Sequence, residues 1–238
     1  MLAKTLVLAL ASTALVAAHG KVAVVTGDAG GNGTALAIKG GIVPGAGKNS
    51  KTEVDTTVFQ KTNILSDGLG RTTGSGKNTL AMLNQTMALS GSTLPQVSAG
   101  GSLSGVFHIV TTDGAGPIVA VLDTTGTGKF SNGTLLKTVT QIPGNKGNIA
   151  APKQRSLLSR ALVAAGIVKR AANVNEDFPM KFAVPAGTTC TGTAGGQTGV
   201  CLVKIANSNK AGPFGGVVAI QIASSGSAAA KRAETFRA

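Results

Sequence analysis

The sequence predicts an all-β fold, a β-sandwich of immunoglobulin-like or related type with short helical insertions. Composition is the first reason: among 238 residues there are 34 glycines, frequent Thr, Ser and Val, and neither Trp nor Tyr, which suits short strands joined by tight turns better than long helices. The second reason is spacing. About seven or eight Val- and Ile-rich runs recur between short Gly-rich connections, a pattern that favours a sandwich over a barrel. The length fits one domain with its own core.

The N-terminus reads as a signal peptide over residues 1–18. Lys4 precedes the apolar runs Leu6 to Leu10 and Ala14 to Ala18, which end in the small residues Val16-Ala17-Ala18. The apolar stretch is too short for a span, which needs roughly twenty residues. Cleavage after Ala18 makes His19 the first residue of a secreted chain, extracellular or held in the cell wall, with no transmembrane segment. The domain then covers 19–223.

The first strand is Lys21 to Thr26, rich in Val and alternating. Within the Gly-rich stretch Gly27 to Gly47, Ala35 to Ile38 reads as a short strand, and Glu53 to Gln60 as another. Gly68 to Lys77 reads as a loop. Its Gly-Ser-Gly-Lys-Asn run resembles a phosphate loop, but the first glycine of that motif falls at Arg71 and its hydroxyl at Asn78, so the reading fails. Asn78 to Leu89 carries Leu80, Leu83 and Met87 at helical spacing, an apolar stripe that faces the core. Ser102 to Thr112 and Pro117 to Asp123, joined by a Gly-Ala-Gly turn, read as a paired hairpin that places His108 on a strand.

Ala151 to Ala172 sets Arg155, Arg160, Lys169 and Arg170 around Leu157, Leu158, Leu162 and Val168. It reads as a basic helical insertion lying across an exposed sheet face, with membrane or partner binding as the alternative. Phe182 to Val184, Val200 to Ala206 and Val217 to Ala223 supply three further strands. The tail 224–238 is low in apolar content and predicts disorder. Lys169-Arg170 and Lys231-Arg232 are dibasic sites open to processing.

Two cysteines, Cys190 and Cys201, predict one disulfide in an oxidising compartment. Asn32, Asn84 and Asn132 begin glycosylation sequons. The 22 Lys and Arg against nine Asp and Glu give a net charge of +13. With no Tyr or Trp there is little to stack on bases, so nucleic acid is not the expected partner. Cell-wall polysaccharide or another anionic surface fits the charge better.

The chain holds only two histidines. One becomes the N-terminus after cleavage; the other is His108. An N-terminal histidine offers an α-amino group and a ring nitrogen, and a second imidazole completes three nitrogens suited to Cu(II). This is the histidine brace of lytic polysaccharide monooxygenases, which are themselves secreted β-sandwiches. His19 and His108 are thus candidate copper ligands, with Phe214 or Asp113 as axial or neighbouring groups. The alternative is an incidental terminal histidine and a hydrogen-bonded strand histidine. No Gly-x-Ser-x-Gly elbow accompanies His108, and the few carboxylates are scattered, so a conventional hydrolase is not expected.

Five segments carry a family resemblance: Ala18-His-Gly20, Val54-Asp-Thr-Thr57, Phe107-His-Ile-Val-Thr-Thr-Asp-Gly-Ala-Gly-Pro117, Cys190-Thr-Gly-Thr193, and Cys201-Leu-Val-Lys-Ile-Ala-Asn207 with Ala211 to Gly216. In these the chain resembles the fungal Egh-like virulence factors, secreted proteins associated with appressoria. The resemblance implies a secreted fungal protein linked to infection structures, with no settled activity. It also implies a departure, the lack of a second cysteine pair near Val43 to Val54. Two functions follow from the sequence: a copper protein acting at wall polysaccharide through His19 and His108, or a noncatalytic surface protein that binds wall polymers through its basic face.

Overall fold

Thirteen strands are linked edge to edge in a computed structural model that describes residues 19–40, 53–150 and 173–223. The leader 1–18, the basic segment 151–172, the tail 224–238 and most of the stretch where the resemblance implies a second cysteine pair lie outside the described residues. In chain order the strands are β1 (Gly20–Gly27), β2 (Gly30–Gly33), β3 (Thr57–Val58), β4 (Arg71–Thr72), β5 (Gly76–Lys77), β6 (Gln96–Val97), β7 (Ser102–Thr111), β8 (Ile118–Asp123), β9 (Thr134–Thr140), β10 (Asn173–Ala183), β11 (Gly192–Ala194), β12 (Gln197–Asn207) and β13 (Phe214–Ile222). One α-helix, α1 (Leu83–Ser90), follows a 3₁₀ turn at Leu80–Met82.

The fold is all-β as the composition predicts, but it is a closed barrel and not a sandwich. The order β12-β8-β9-β10-β7-β1-β13 returns to its start because β13 pairs antiparallel with β12 over seven residues, from Val200↔Gln221 to Ala206↔Gly215. The remaining seam joins β1 to β13 in parallel at Lys21↔Gly215. Inward and outward residues alternate along strands in both architectures, so the pattern that identified the strands was blind to closure.

Two apolar layers follow from that alternation. On β12, Cys201, Val203 and Ile205 enter the barrel with Val22, Phe107, Phe182 and Val218. Val200, Leu202 and Ala206 face outward, where Leu36, Phe59, Leu83 and Phe130 cover them. A strand buried on both faces reads as a continuous apolar run, and β12 and β13 do. Leu80, Leu83 and Met87 pack on this outer layer, as their spacing predicts.

Several local expectations change. Ser102 to Thr112 and Pro117 to Asp123 are strands but not a hairpin: β7 lies between β1 and β10, and β8 between β9 and β12. Ala35 to Ile38 is a buried turn, with Ala37 at φ 68°. Only Thr57–Val58 of Glu53 to Gln60 is strand, and the loop Gly68 to Lys77 contains the small β4–β5 hairpin. β10 is far longer than Phe182 to Val184; its Glu176, Asp177 and Pro179 hide it from a pattern search. Cys190 and Cys201 form the expected disulfide, tying the approach to β11 onto β12.

Candidate functional site at His19

His19 enters β1 under a cradle built from main chain. Its carbonyl accepts hydrogen bonds from the Val110 and Thr111 amides at 3.0 and 3.2 Å. Its backbone nitrogen donates to Thr111 Oγ1 at 2.8 Å, and that hydroxyl donates to Asp113 Oδ1 at 2.7 Å. Burial raises the Asp113 carboxyl above its ordinary pKa, opposed by the Thr111 hydroxyl and by the charge of His19. The turn that follows packs directly on the strand start. A Cβ at Gly114 would lie 1.8 Å from the His19 carbonyl oxygen, and one at Gly20 would lie 2.4 Å from the Gly114 oxygen. Glycine is required at both places by space alone.

Phe214 closes another side. Its ring stacks on the His19 imidazole with centroids 6.0 Å apart and an interplanar angle of 25°. Two buried asparagines hold the surrounding loops. Asn207 Oδ1 accepts from the Phe214 amide at 2.9 Å while its Nδ2 donates to the Ala115 carbonyl at 2.9 Å. Asn209 Nδ2 donates to the Asp113 carbonyl at 2.7 Å and the Gly147 carbonyl at 3.1 Å, and its Oδ1 accepts from the Ala211 amide at 2.8 Å. Thr111 and Asn207 stand within the motif segments and Asn209 outside them, and nothing in a strand-end Asn or Thr marks any of the three as a clamp.

His108 stands directly across from Lys21, in a register where Gly20 faces Ile109. His19 is therefore two residues along from His108's partner, a diagonal position on the neighbouring strand. On its other side His108 faces Asp177 of β10. Asp177 Oδ1 lies 2.6 Å from Nδ1, and Asn175 Oδ1 lies 3.0 Å from Nε2. Beside Lys21 lies a buried carboxyl, Glu53, whose oxygens have no hydrogen-bond partner and whose pKa is pushed up to about 7, chiefly by burial, opposed by the charge of Lys21 and reinforced by Asp55.

Of the residues singled out from sequence, His19, Asp113 and Phe214 come together, and His108 sits diagonally across from them. The disulfide lies elsewhere, and Asn32, Asn84 and Asn132 are all exposed. Among the described residues no group of three or more His, Cys, Asp and Glu side chains is arranged to hold a metal. A brace draws on one amino group and two imidazoles, so it contains only two such side chains.

The cradle also gathers four of the motif segments in one place. His19-Gly20, the run from Phe107 to Pro117, and the Asn207 and Phe214 segments meet there, with Val54 to Thr57 beside them through the Phe214↔Val58 pair. A family model described as Egh16-like virulence factor matches residues 17–215. The chain is 35% identical to the appressoria-specific virulence factor GAS1 of Pyricularia oryzae over 89% of its own length and 74% of that protein. It is 35% identical to the appressoria-specific virulence factor GAS2 of the same fungus over 53% of its length and 37% of that protein. No solved structure matches the chain. A match over most of its length and relatives at this identity place the chain in the Egh16-like virulence factor family.

Proposed function

We propose that this chain is an infection-associated, secreted copper protein that acts at cell-wall polysaccharide, with the α-amino group and ring of His19 and the ring of His108 as its ligands. One observation carries the reading: the residue made N-terminal by leader removal lies diagonally across neighbouring strands from the only other histidine. The donor chemistry agrees. Metal-bound imidazoles usually fix their second nitrogen on a carboxylate, and Asp177 meets Nδ1 of His108 at 2.6 Å. Nε2, which here meets Asn175 Oδ1 at 3.0 Å, would be the ligating atom. Thr111 and Asp113 position the amino nitrogen, and Phe214 orients the His19 ring and shields it from water. Copper bound there would supply one-electron redox chemistry.

The test is Cu(II) binding by calorimetry and electron paramagnetic resonance on protein secreted with a native His19 terminus, beside a form with one extra N-terminal Ala and a His108→Ala variant. Tight binding with a tetragonal nitrogen spectrum, lost in both altered forms, is expected. Equal, weak binding by all three overturns the copper reading. The noncatalytic surface protein, favoured by the net charge of +13, then replaces it.

A further inference from the structure

The outer face of β12 carries one residue that breaks its apolar row. Val200, Leu202 and Ala206 are followed or flanked by Lys204, only 1% exposed. Its ammonium donates to the Ser66 carbonyl at 2.7 Å and lies 4.6 Å from the Phe59 ring centroid and 5.2 Å from that of Phe130. Burying an ammonium among apolar groups is costly unless something pairs with it. The neighbouring carboxylate, Asp67, instead accepts from the Ser131 amide at 2.8 Å. Burial depresses the Lys204 pKa to about 8, opposed by the charge of Asp67.

Lys204 forms part of the wall of a cavity of about 460 Å³, and the exposed Lys61, Arg71 and Lys77 stand around the same space. Among the described residues none of these four cations lies within ion-pair distance of a carboxylate; Asp67 also lines the space, leaving three exposed cations and Lys204 against one acid. Phe59, Val58 and Leu69 supply an apolar wall. The volume suits a small organic ligand, the cations call for negative charge, and Phe59 offers a flat face for the C–H side of a sugar ring. We propose that this cavity binds a carboxylated sugar, one or two uronate units of an acidic polysaccharide, with the carboxylate among the exposed rim cations Lys61, Arg71 and Lys77 and the buried Lys204 charge behind them. None of the copper ligands takes part, so the two proposals fail separately.

Isothermal calorimetry with the processed protein at pH 6.5 tests this, using digalacturonate, its methyl ester, a neutral disaccharide and inorganic phosphate as probes. Binding of digalacturonate alone is expected, weakened severalfold by Lys204→Met, which keeps side-chain volume and removes the buried charge. An exposed double variant, Lys61→Gln with Arg71→Gln, tests the same charge without touching the core and should weaken binding severalfold. Binding should also fall as pH rises past 8. Equal binding of the ester, tighter binding of phosphate, no binding of digalacturonate, or full affinity in the rim variant each overturns the proposal.

Discussion

Gly114→Ala tests the cradle around His19 at its tightest point. The added Cβ would lie 1.8 Å from the His19 oxygen and 2.3 Å from its carbonyl carbon, where real Cβ contacts do not fall below 3.0 Å. Both partners are backbone, so one chain must move by more than about 1 Å, the kind of overpacking that costs roughly 1–3 kcal/mol. Such a shift breaks the three hydrogen bonds that His19 makes with Val110 and Thr111, each worth about 1 kcal/mol. The combined loss is about 4–6 kcal/mol, or roughly 8–24 °C in melting temperature at this chain length. Circular dichroism on the folded protein reads the melting temperature, and electron paramagnetic resonance with added Cu(II) tests the proposed site. Gly187→Ala is the control: its φ of 79° strains an Ala, but no atom lies within 4 Å of the new methyl. It should lose only about 1–2 kcal/mol and leave Cu(II) binding untouched. A Gly114→Ala protein that melts within a degree of the parent would refute the packing of the 111–116 turn on His19.

Three further outcomes follow from named contacts. Replacing both Cys190 and Cys201 by Ala opens a link between residues 11 apart, which the chain-entropy model values at about 2.8 kcal/mol; an unchanged urea midpoint would contradict it. Glu53, with its pKa raised from 4.5 to about 7, binds a proton more tightly folded than unfolded, so stability falls as pH rises from 4.5 to 7 and is level above. Glu53→Gln should flatten that slope in melting temperature against pH, and an unaltered slope would remove Glu53 as its source. Asn207→Ala deletes the acceptor of the Phe214 amide and the donor to Ala115, leaving buried groups orphaned at about 1–3 kcal/mol each; a loss under 1 kcal/mol by urea unfolding would show that water replaces the clamp.

Particular residues show what the sequence could reveal. β12 was legible because its two-sided burial writes apolar residues at nearly every position from Val200 to Ala206. β10 was not, since its outward residues include Asp177 and Lys181, Glu176 interrupts the inward row of Phe178, Met180 and Phe182, and its ladder tolerates Pro179 opposite Val106. The closure of the barrel depends on which strands are neighbours, and a single sequence carries no sign of the β12–β13 and β1–β13 seams. Candidate ligands were legible by scarcity, two histidines in the whole chain. Lys204 was hidden for the opposite reason: one lysine among many cations gives no sign that its ammonium is buried between Phe59 and Phe130.

The contacts around His19 grip its main chain from three sides. Its carbonyl is gripped by two amides, its nitrogen by Thr111, and its neighbour Gly20 by the Gly114 turn, while the ring meets Phe214 face to face. Fixing the backbone fixes where the His19 nitrogen lies, beside Thr111 Oγ1 and near Asp113, and under the proposed function that nitrogen is an α-amino group. A buried amine is unstable there unless an anion or a metal meets it. Asp113, partly buried, reaches that nitrogen through Thr111, so the copper proposal predicts that one extra N-terminal Ala removes Cu(II) binding while these main-chain bonds, and the melting temperature with them, stay in place.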